Sequence, residues 1–337
     1  MFEEVLPRLL ERRDLTAAEA EAVFTEVMDG ALTPVQIAAL LVALRTKGES
    51  VAEITGAARA MRGHATRVEI GDIEAVDTCG TGGDGSHTFN ISTTAAFVVA
   101  GAGLPVAKHG NKGVSSKCGS ADVLAALGVN LDLQPEQMAA CVREVGLGFL
   151  FAPLLHKAMR FAGPVRAELK TRTIFNLLGP LTNPAGVGFQ VVGVFSGRWV
   201  EPVGRVLAEL GCGHAFVVHG EDGLDEATLS GKTYYAEVKG GEVHPGVITP
   251  EAVGLGTTTA GDLAGGGPEE NAAITRRVLA GEPGPHRDVV LLNAALALVA
   301  GERADSVQTG IAQAAESIDS GAAAQVLERL VAFTQGG

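Results

Sequence analysis

Five short apolar runs, each bounded by glycine, constrain this chain more than any other feature: IEAVDTCG from residue 73, LPVAKHG from 104, GLGFLFAP from 146, FQVVGVF from 189 and HAFVVHG from 214. Runs this short and this continuous suit strands buried on both faces, and the helical stretches between them supply the crossovers that parallel strands need. The chain therefore reads as α/β, with a central, mostly parallel sheet flanked by helices. Its 337 residues, 46% of them hydrophobic, are enough for one large domain and a smaller companion.

Before residue 73 the period is helical. A helix is expected near residues 2–12. TAAEAEAVFTEVMDG follows, with Thr16 as cap and Gly30 as stop, then TPVQIAALLVALRTKG with Pro34 in the first turn, then a helix from near Ser50 to about Met61. These form a small all-helical domain over residues 1–70. One later segment, RTIFNLLGPLTNPAG at 172–186, is a short helix and a Pro/Gly-rich loop that interrupts the strand–helix pattern. It is expected to return to the helical unit, so that about 171–187 join the small domain while 71–170 and 188–337 make the large α/β domain. TYYAEVKGGEVHPGVIT at 233–249 reads as a hairpin or edge strands around a Gly-Gly turn. The Ala-rich last third is helical and covers a sheet face.

Charge excludes one class of partner. A formal net charge of −13 repels phosphate backbones, so nucleic acid is not expected. No stretch approaches the roughly 20 apolar residues that span a bilayer. The opening MFEEVLPRLLERRD places acids and arginines where a signal peptide needs a basic start and an apolar run, so a cytoplasmic protein is expected. Cys79, Cys118, Cys141 and Cys212 lie far apart, with no C-x-x-C pair for zinc, and are expected to be reduced and buried.

Any phosphate must then be held locally. GTGGDG (80–85) follows a strand and precedes a helix, so its backbone N–H groups and the helix N-terminus offer an anion site. The same letters satisfy the dinucleotide pattern G-x-G-x-x-G. That reading also needs an acid at the tip of the second strand to take a ribose hydroxyl. Here that strand ends in Lys108-His109, a basic tip that suits more phosphate. Asp84, within the glycines, must face a metal ion, a hydroxyl or a backbone amide. Asn90, Ser92 and Thr93 at the helix start can cap the helix, touch phosphate or join a metal's shell.

Three further elements accompany this loop. Residues 101–121, GAGLPVAKHGNKGVSSKCGSA, carry Lys108, His109, Lys112 and Lys117 without one acid. Their second small-residue loop holds Ser115, Ser116 and Ser120, open either to solvation and capping or to phosphate contact. Two such loops side by side at the carboxyl end of a parallel sheet suit an extended polyphosphate sugar. HGEDGLDEAT (219–228) offers Glu221 and Asp222, read as a solvated turn, and Asp225 and Glu226, a carboxylate pair of the kind Mg2+ takes together with substrate phosphates and water. Arg160, Arg166 and Arg172 stand in HKAMRFAGPVRAELKTRTIFNLLGPLTNP. One of them could hold a substrate carboxylate through its planar fork, and each could equally be a surface residue.

GTGGDGSHTFNIST, KHGN, SSKCGSADVL, RTIFNLLGPLTNP and HGEDGLDE, in this order and across almost the whole chain, resemble the anthranilate phosphoribosyltransferase family of tryptophan biosynthesis. The resemblance implies a helical domain that mediates homodimerisation and transfer of the phosphoribosyl group from phosphoribosyl pyrophosphate to the amine of anthranilate, with Mg2+. By position it implies a phosphoribosyl pyrophosphate site at Gly80, Gly83, Asp84, Thr88, Asn90, Ile91, Ser92, Thr93, Lys108, Ser116 and Ser120. It implies anthranilate contacts at Gly80, His109, Asn111, Arg166 and Gly179, with Pro180 beside the last, and magnesium-associated residues at Ser92, Asp225 and Glu226. No nucleophile is implied; positioning and charge neutralisation carry the reaction. The sequence departs from the family pattern at Lys112-Gly113, where an Arg and a small residue are usual, and at His156-Lys157, where His-Pro is usual. A pyrimidine nucleoside phosphorylase-like enzyme and a non-catalytic nucleic-acid-binding relative are the alternatives. The glycine loop and NLLGPLTNP disfavour the first, and the Asp225–Glu226 pair, Arg166 and the acidic balance disfavour the second.

Overall fold

Seven strands form one sheet in the computed structural model, which describes residues 1–113 and 117–336. They are β1 (Val76–Gly80), β2 (Val106–Gly110), β3 (Leu147–Phe151), β4 (Phe189–Gly193), β5 (His214–Gly220), β6 (Thr233–Lys239) and β7 (Glu242–Ile248), in the order β3-β2-β1-β4-β5-β6-β7. The first five run parallel; β6 and β7 add an antiparallel edge hairpin. Gly240 and Gly241 turn that hairpin at φ of 59° and 83°, the left-handed region that favours glycine. The chain builds outward from β1 through β2 to β3, then returns to place β4 on the other side of β1. Ligands of open α/β sheets bind beyond the carboxyl ends of the strands at such a reversal.

Successive residues of a strand face opposite sides, and this divides the core in two. Val191, Phe216 and Val218 join a cluster with the helices Ile91–Gly101, Pro285–Ala300 and Ala322–Thr334. Val192, Ala215 and Val217 join the other, which continues into the helical unit. There the helices Ala17–Met28, Pro34–Lys47 and Val51–Gly63 each start at a capping box, Thr16 with Glu19, Thr33 with Gln36 and Ser50 with Glu53. In each box the two side chains satisfy backbone N–H groups that the first turn leaves orphaned. Ala162, Val165, Phe175, Leu178 and Leu181 lie in this second cluster, so the segment around residues 160–181 packs with the N-terminal helices although it is inserted between β3 and β4. Among the described residues no helix is long and apolar enough to cross a membrane.

Candidate active site

The glycine loop leaves the end of β1 with Gly82, Gly83 and Gly85 at φ of 65°, 73° and 80°. That left-handed backbone turns successive N–H groups into one concavity, an arrangement suited to anions. The helix Ile91–Gly101 begins directly beyond it. Asn90 occupies the N-cap position, but its side chain makes no capping bond. Asn90 Nδ2 instead donates to the Cys118 carbonyl at 3.3 Å, and Asn271 Nδ2 donates to Asn90 Oδ1 at 2.9 Å. Ile91 and Thr93 have buried side chains, which leaves their backbone groups as what they can offer. Thr88 pairs with Ala264 in an isolated bridge that pins the loop from outside.

The acidic turn after β5 docks onto this loop. Gly82 N donates to Asp225 Oδ2 at 2.7 Å, Ser92 N to Glu226 Oε1 at 3.1 Å, and Asp225 N lies 3.4 Å from Asp84 Oδ2. Lys108, buried at the end of β2, donates to the Thr78 carbonyl and reaches Ser92 Oγ at 3.4 Å. Loop, helix start, basic strand end and acidic turn therefore meet at one place. Burial pushes the Asp225 carboxyl well above the carboxylate range, aided by repulsion from Asp84 and Glu226. Burial also raises Glu226, to about 7, against the pull of Lys108. Glu221 and Asp222 are exposed; Asp222 only organises its own turn, accepting from Thr228 Oγ1 at 2.7 Å.

A second pocket wall forms where the inserted segment reaches β2. Asn183 Nδ2 donates to both Asp77 Oδ2 and the Ala107 carbonyl at 2.8 Å, and Asp77 Oδ1 accepts from His109 N at 3.1 Å. His109 Nδ1 lies 3.1 Å from the Gly179 carbonyl, and His109 Nε2 lies 3.1 Å from His156 Nε2. A carbonyl only accepts, so His109 carries its proton on Nδ1 and accepts at Nε2 from His156. His156 Nδ1 is then a buried lone pair without a partner among the described residues. Burial lowers both rings, His109 to about 3 and His156 to about 4, so both are neutral at physiological pH.

The arginines separate clearly. Arg160 is exposed over the Phe161 ring. Arg172 donates to the Gly83 carbonyl and lies 4.2 Å over the Phe195 ring, so it braces the glycine loop from the inserted segment. Arg166 is half-buried, 5.3 Å over Phe175, and burial lowers its pKa. Among the described residues it forms no ion pair with any carboxylate. Asn111 and Lys112 are exposed, and Ser120 Oγ donates to the Asn111 carbonyl at 3.2 Å. Ser115 and Ser116 lie outside the described residues.

Sequence reasoning passed over Asp77, Asn183 and Asn271. Each is a buried polar residue beside apolar neighbours, and such a group must find a partner.

The chain is similar to proteins of known family. Residues 72–324 match the α/β domain of a glycosyl transferase family and residues 3–65 its helical bundle domain. The anthranilate phosphoribosyltransferase of Symbiobacterium thermophilum is 57% identical over 330 residues, covering 98% of this chain and 97% of the relative. The crystal structure of anthranilate phosphoribosyltransferase from Thermus thermophilus superposes with a TM-score of 0.94 at 46% identity, covering 98% of this chain and 99% of that one. That of Saccharomyces cerevisiae in complex with PRPP and Mg superposes with a TM-score of 0.91 at 28% identity, covering 100% and 98%.

Proposed function

The chain belongs to the anthranilate phosphoribosyltransferases of the glycosyl transferase family, and from that premise we propose that it transfers the phosphoribosyl group of phosphoribosyl pyrophosphate to the amine of anthranilate. The observation that carries this reading is the meeting of Lys108, the glycine loop and the Asp225–Glu226 turn at the carboxyl ends of β1, β2 and β5. Gly80, Gly83, Asp84, Thr88, Asn90 to Thr93, Lys108, Ser116 and Ser120 take the phosphoribosyl pyrophosphate. His109, Asn111, Arg166, Gly179 and the Gly80 end of β1 take anthranilate. The helical domain comprises residues 1–70 with about 171–187.

Magnesium fits the acidic turn. Asp225 and Glu226 are hard oxygen donors, desolvated and mutually repelling, and among the described residues neither forms an ion pair. Nor does the described chain contain a complete cage of three or more His, Cys, Asp or Glu side chains, and an ion completed by phosphates and water needs none. Asp225, Glu226 and Ser92 would hold it, and when bound it neutralises charge on the departing pyrophosphate. Lys108 and the loop N–H groups stabilise the same charge. Anthranilate's nitrogen forms its bond to the anomeric carbon as the bond to pyrophosphate breaks, and the amine proton passes to solvent. Arg166 fixes the carboxylate so that the amine faces the sugar, and the neutral histidine pair shapes the pocket without supplying charge.

The chain works as a cytoplasmic homodimer joined through the helical domain. Leu10, Val35 and Val42 are exposed on the helices Phe2–Leu10 and Pro34–Lys47, beside a groove of 310 Å3 lined by Leu6, Ala39 and Ala43. An apolar patch of this kind marks a protein interface.

Loss of anthranilate fluorescence on adding phosphoribosyl pyrophosphate and Mg2+ tests the activity. No loss, together with phosphate-dependent cleavage of a pyrimidine nucleoside, would replace this reading with the phosphorylase one.

A further inference from the structure

Within the buried helix Pro285–Ala300, the stretch VVLLNAALAL contains one polar residue, Asn293. It is 3% exposed. Asn293 Oδ1 accepts from Ala227 N at 3.0 Å, and its Nδ2 donates to the Ala227 carbonyl and to the Val289 carbonyl, both at 2.9 Å. Both amide donors are thus used, and the side chain meets the backbone of Ala227 as a strand neighbour would. Ala227 directly follows Glu226.

We propose that Asn293 is the positioning residue of the acidic turn, holding Asp225 and Glu226 where the metal-bound pyrophosphate requires them; this rests on the assignment of that pair to magnesium. The helix that carries Asn293 packs on Ile91–Gly101, which carries Ser92 at its start. One rigid element therefore fixes the distance between the turn and the third magnesium-associated residue. The other contacts of the pair run from the Asp225 and Glu226 side chains to Gly82 N and Ser92 N and from Asp225 N to Asp84, while the neighbouring Thr228 bonds to Thr233 and Asp222, so Asn293 is what holds the turn's backbone to the helix beneath it. Asn293 tethers the backbone of this turn from 66 residues away. Apolar replacement leaves both Ala227 backbone groups buried without partners, so the turn must move to find new ones.

The test is a Mg2+ titration of steady-state activity for the parent, Asn293→Leu, Asn293→Ser and an Asp225→Ala/Glu226→Ala double variant, with thermal unfolding of each. The Asn293 variants should raise the half-saturating Mg2+ concentration by about ten- to a hundredfold, as loss of a group that orients metal ligands does. Their anthranilate KM should stay within about twofold of the parent value, a split that mere loss of stability does not produce. If the double variant keeps the parental Mg2+ curve, the magnesium assignment itself fails. If the double variant shifts but the Asn293 variants do not, the positioning role is overturned and the magnesium assignment stands. Hydrogen exchange at the Ala227 amide of the parent decides the matter even if the Asn293 variants do not fold. Slow exchange without ligand is expected; fast exchange that slows only with Mg2+ and phosphoribosyl pyrophosphate would show that ligand, not Asn293, orders the turn.

Discussion

Gly193, the last residue of β4, lies directly beneath Asp225: a methyl built on it would stand 2.5 Å from the Asp225 carbonyl carbon and overlap its oxygen. Its register partner on β1 is Gly80, where a methyl would stand 2.5 Å from Asp225 Oδ2. The acidic turn thus rests on a paired floor of two glycines at the point where the sheet order reverses. Each lacks a side chain because a carboxylate-bearing residue occupies the space.

Gly193→Ala should therefore lift the acidic turn from the glycine loop. The overlap is with backbone, which cannot rotate away, so a stability cost of about 1–3 kcal/mol is expected. Activity at fixed Mg2+ should fall further than stability does. Thermal unfolding and a Mg2+ titration on the same preparation check this; a variant with parental Mg2+ dependence would show that the turn's seat on β4 does not matter for the reaction.

The histidine pair gives a pH prediction. In the unfolded chain both rings take up protons below about 6.5, whereas the folded rings resist protonation until about 4 for His156 and about 3 for His109. Proton uptake therefore favours the unfolded state, and stability falls as pH drops from 6.5 towards 4. Above 6.5 the pair contributes no pH dependence. Nuclear magnetic resonance of the eight histidine rings should show His109 and His156 not titrating between about pH 5 and 8. A midpoint near 6.5 for either would mean that the pocket is solvated.

The elements were legible because each is a local pattern. Glycine-bounded apolar runs became the five parallel strands, the Gly-Gly turn became the edge hairpin, and Thr16 and Ser50 became helix caps. What could not be read is what the sheet brings together. Ser92 and Glu226 meet across 134 residues, and Asn271 and Asn90 across 181, with no periodicity to connect them. Asn90 itself shows the difficulty: it has the residue type and position of a helix cap, yet tertiary partners take its side chain. Gly193 looks like any strand glycine until β5 places Asp225 above it. The one readable hint was a lone Asn in VVLLNAALAL, since a polar side chain in a helix apolar all round requires a partner elsewhere.

The proposed homodimer places its contact on the helical face. Val42→Asp together with Leu10→Asp puts two charges where two apolar side chains stand exposed in the single chain. Losing burial of each side chain costs about 1.5–3 kcal/mol per partner, enough to raise the dimer dissociation constant by more than about a hundredfold. Sedimentation should find a dimer for the parent and a monomer for the double variant. A variant that sediments as the parent would place the contact on another surface.

Arg166 and Lys108 should separate the two substrates. Arg166 is a half-buried guanidinium that burial has made costlier to charge, resting on Phe175 with no carboxylate of the described chain to pair with. In the proposed function anthranilate supplies that carboxylate. A charge-assisted hydrogen bond contributes on the order of 1.5–3 kcal/mol, so Arg166→Ala should lower kcat/KM for anthranilate by roughly ten- to a hundredfold and change that for phosphoribosyl pyrophosphate much less. Lys108→Met keeps the buried stem and removes the ammonium beside Ser92, so it should show the opposite preference. Varying each substrate in turn, with the other saturating, gives both terms. If Arg166→Ala leaves the anthranilate term at the parent value, the carboxylate lies elsewhere. Arg172, which already reaches the Gly83 carbonyl from the same segment, is then the next arginine to remove.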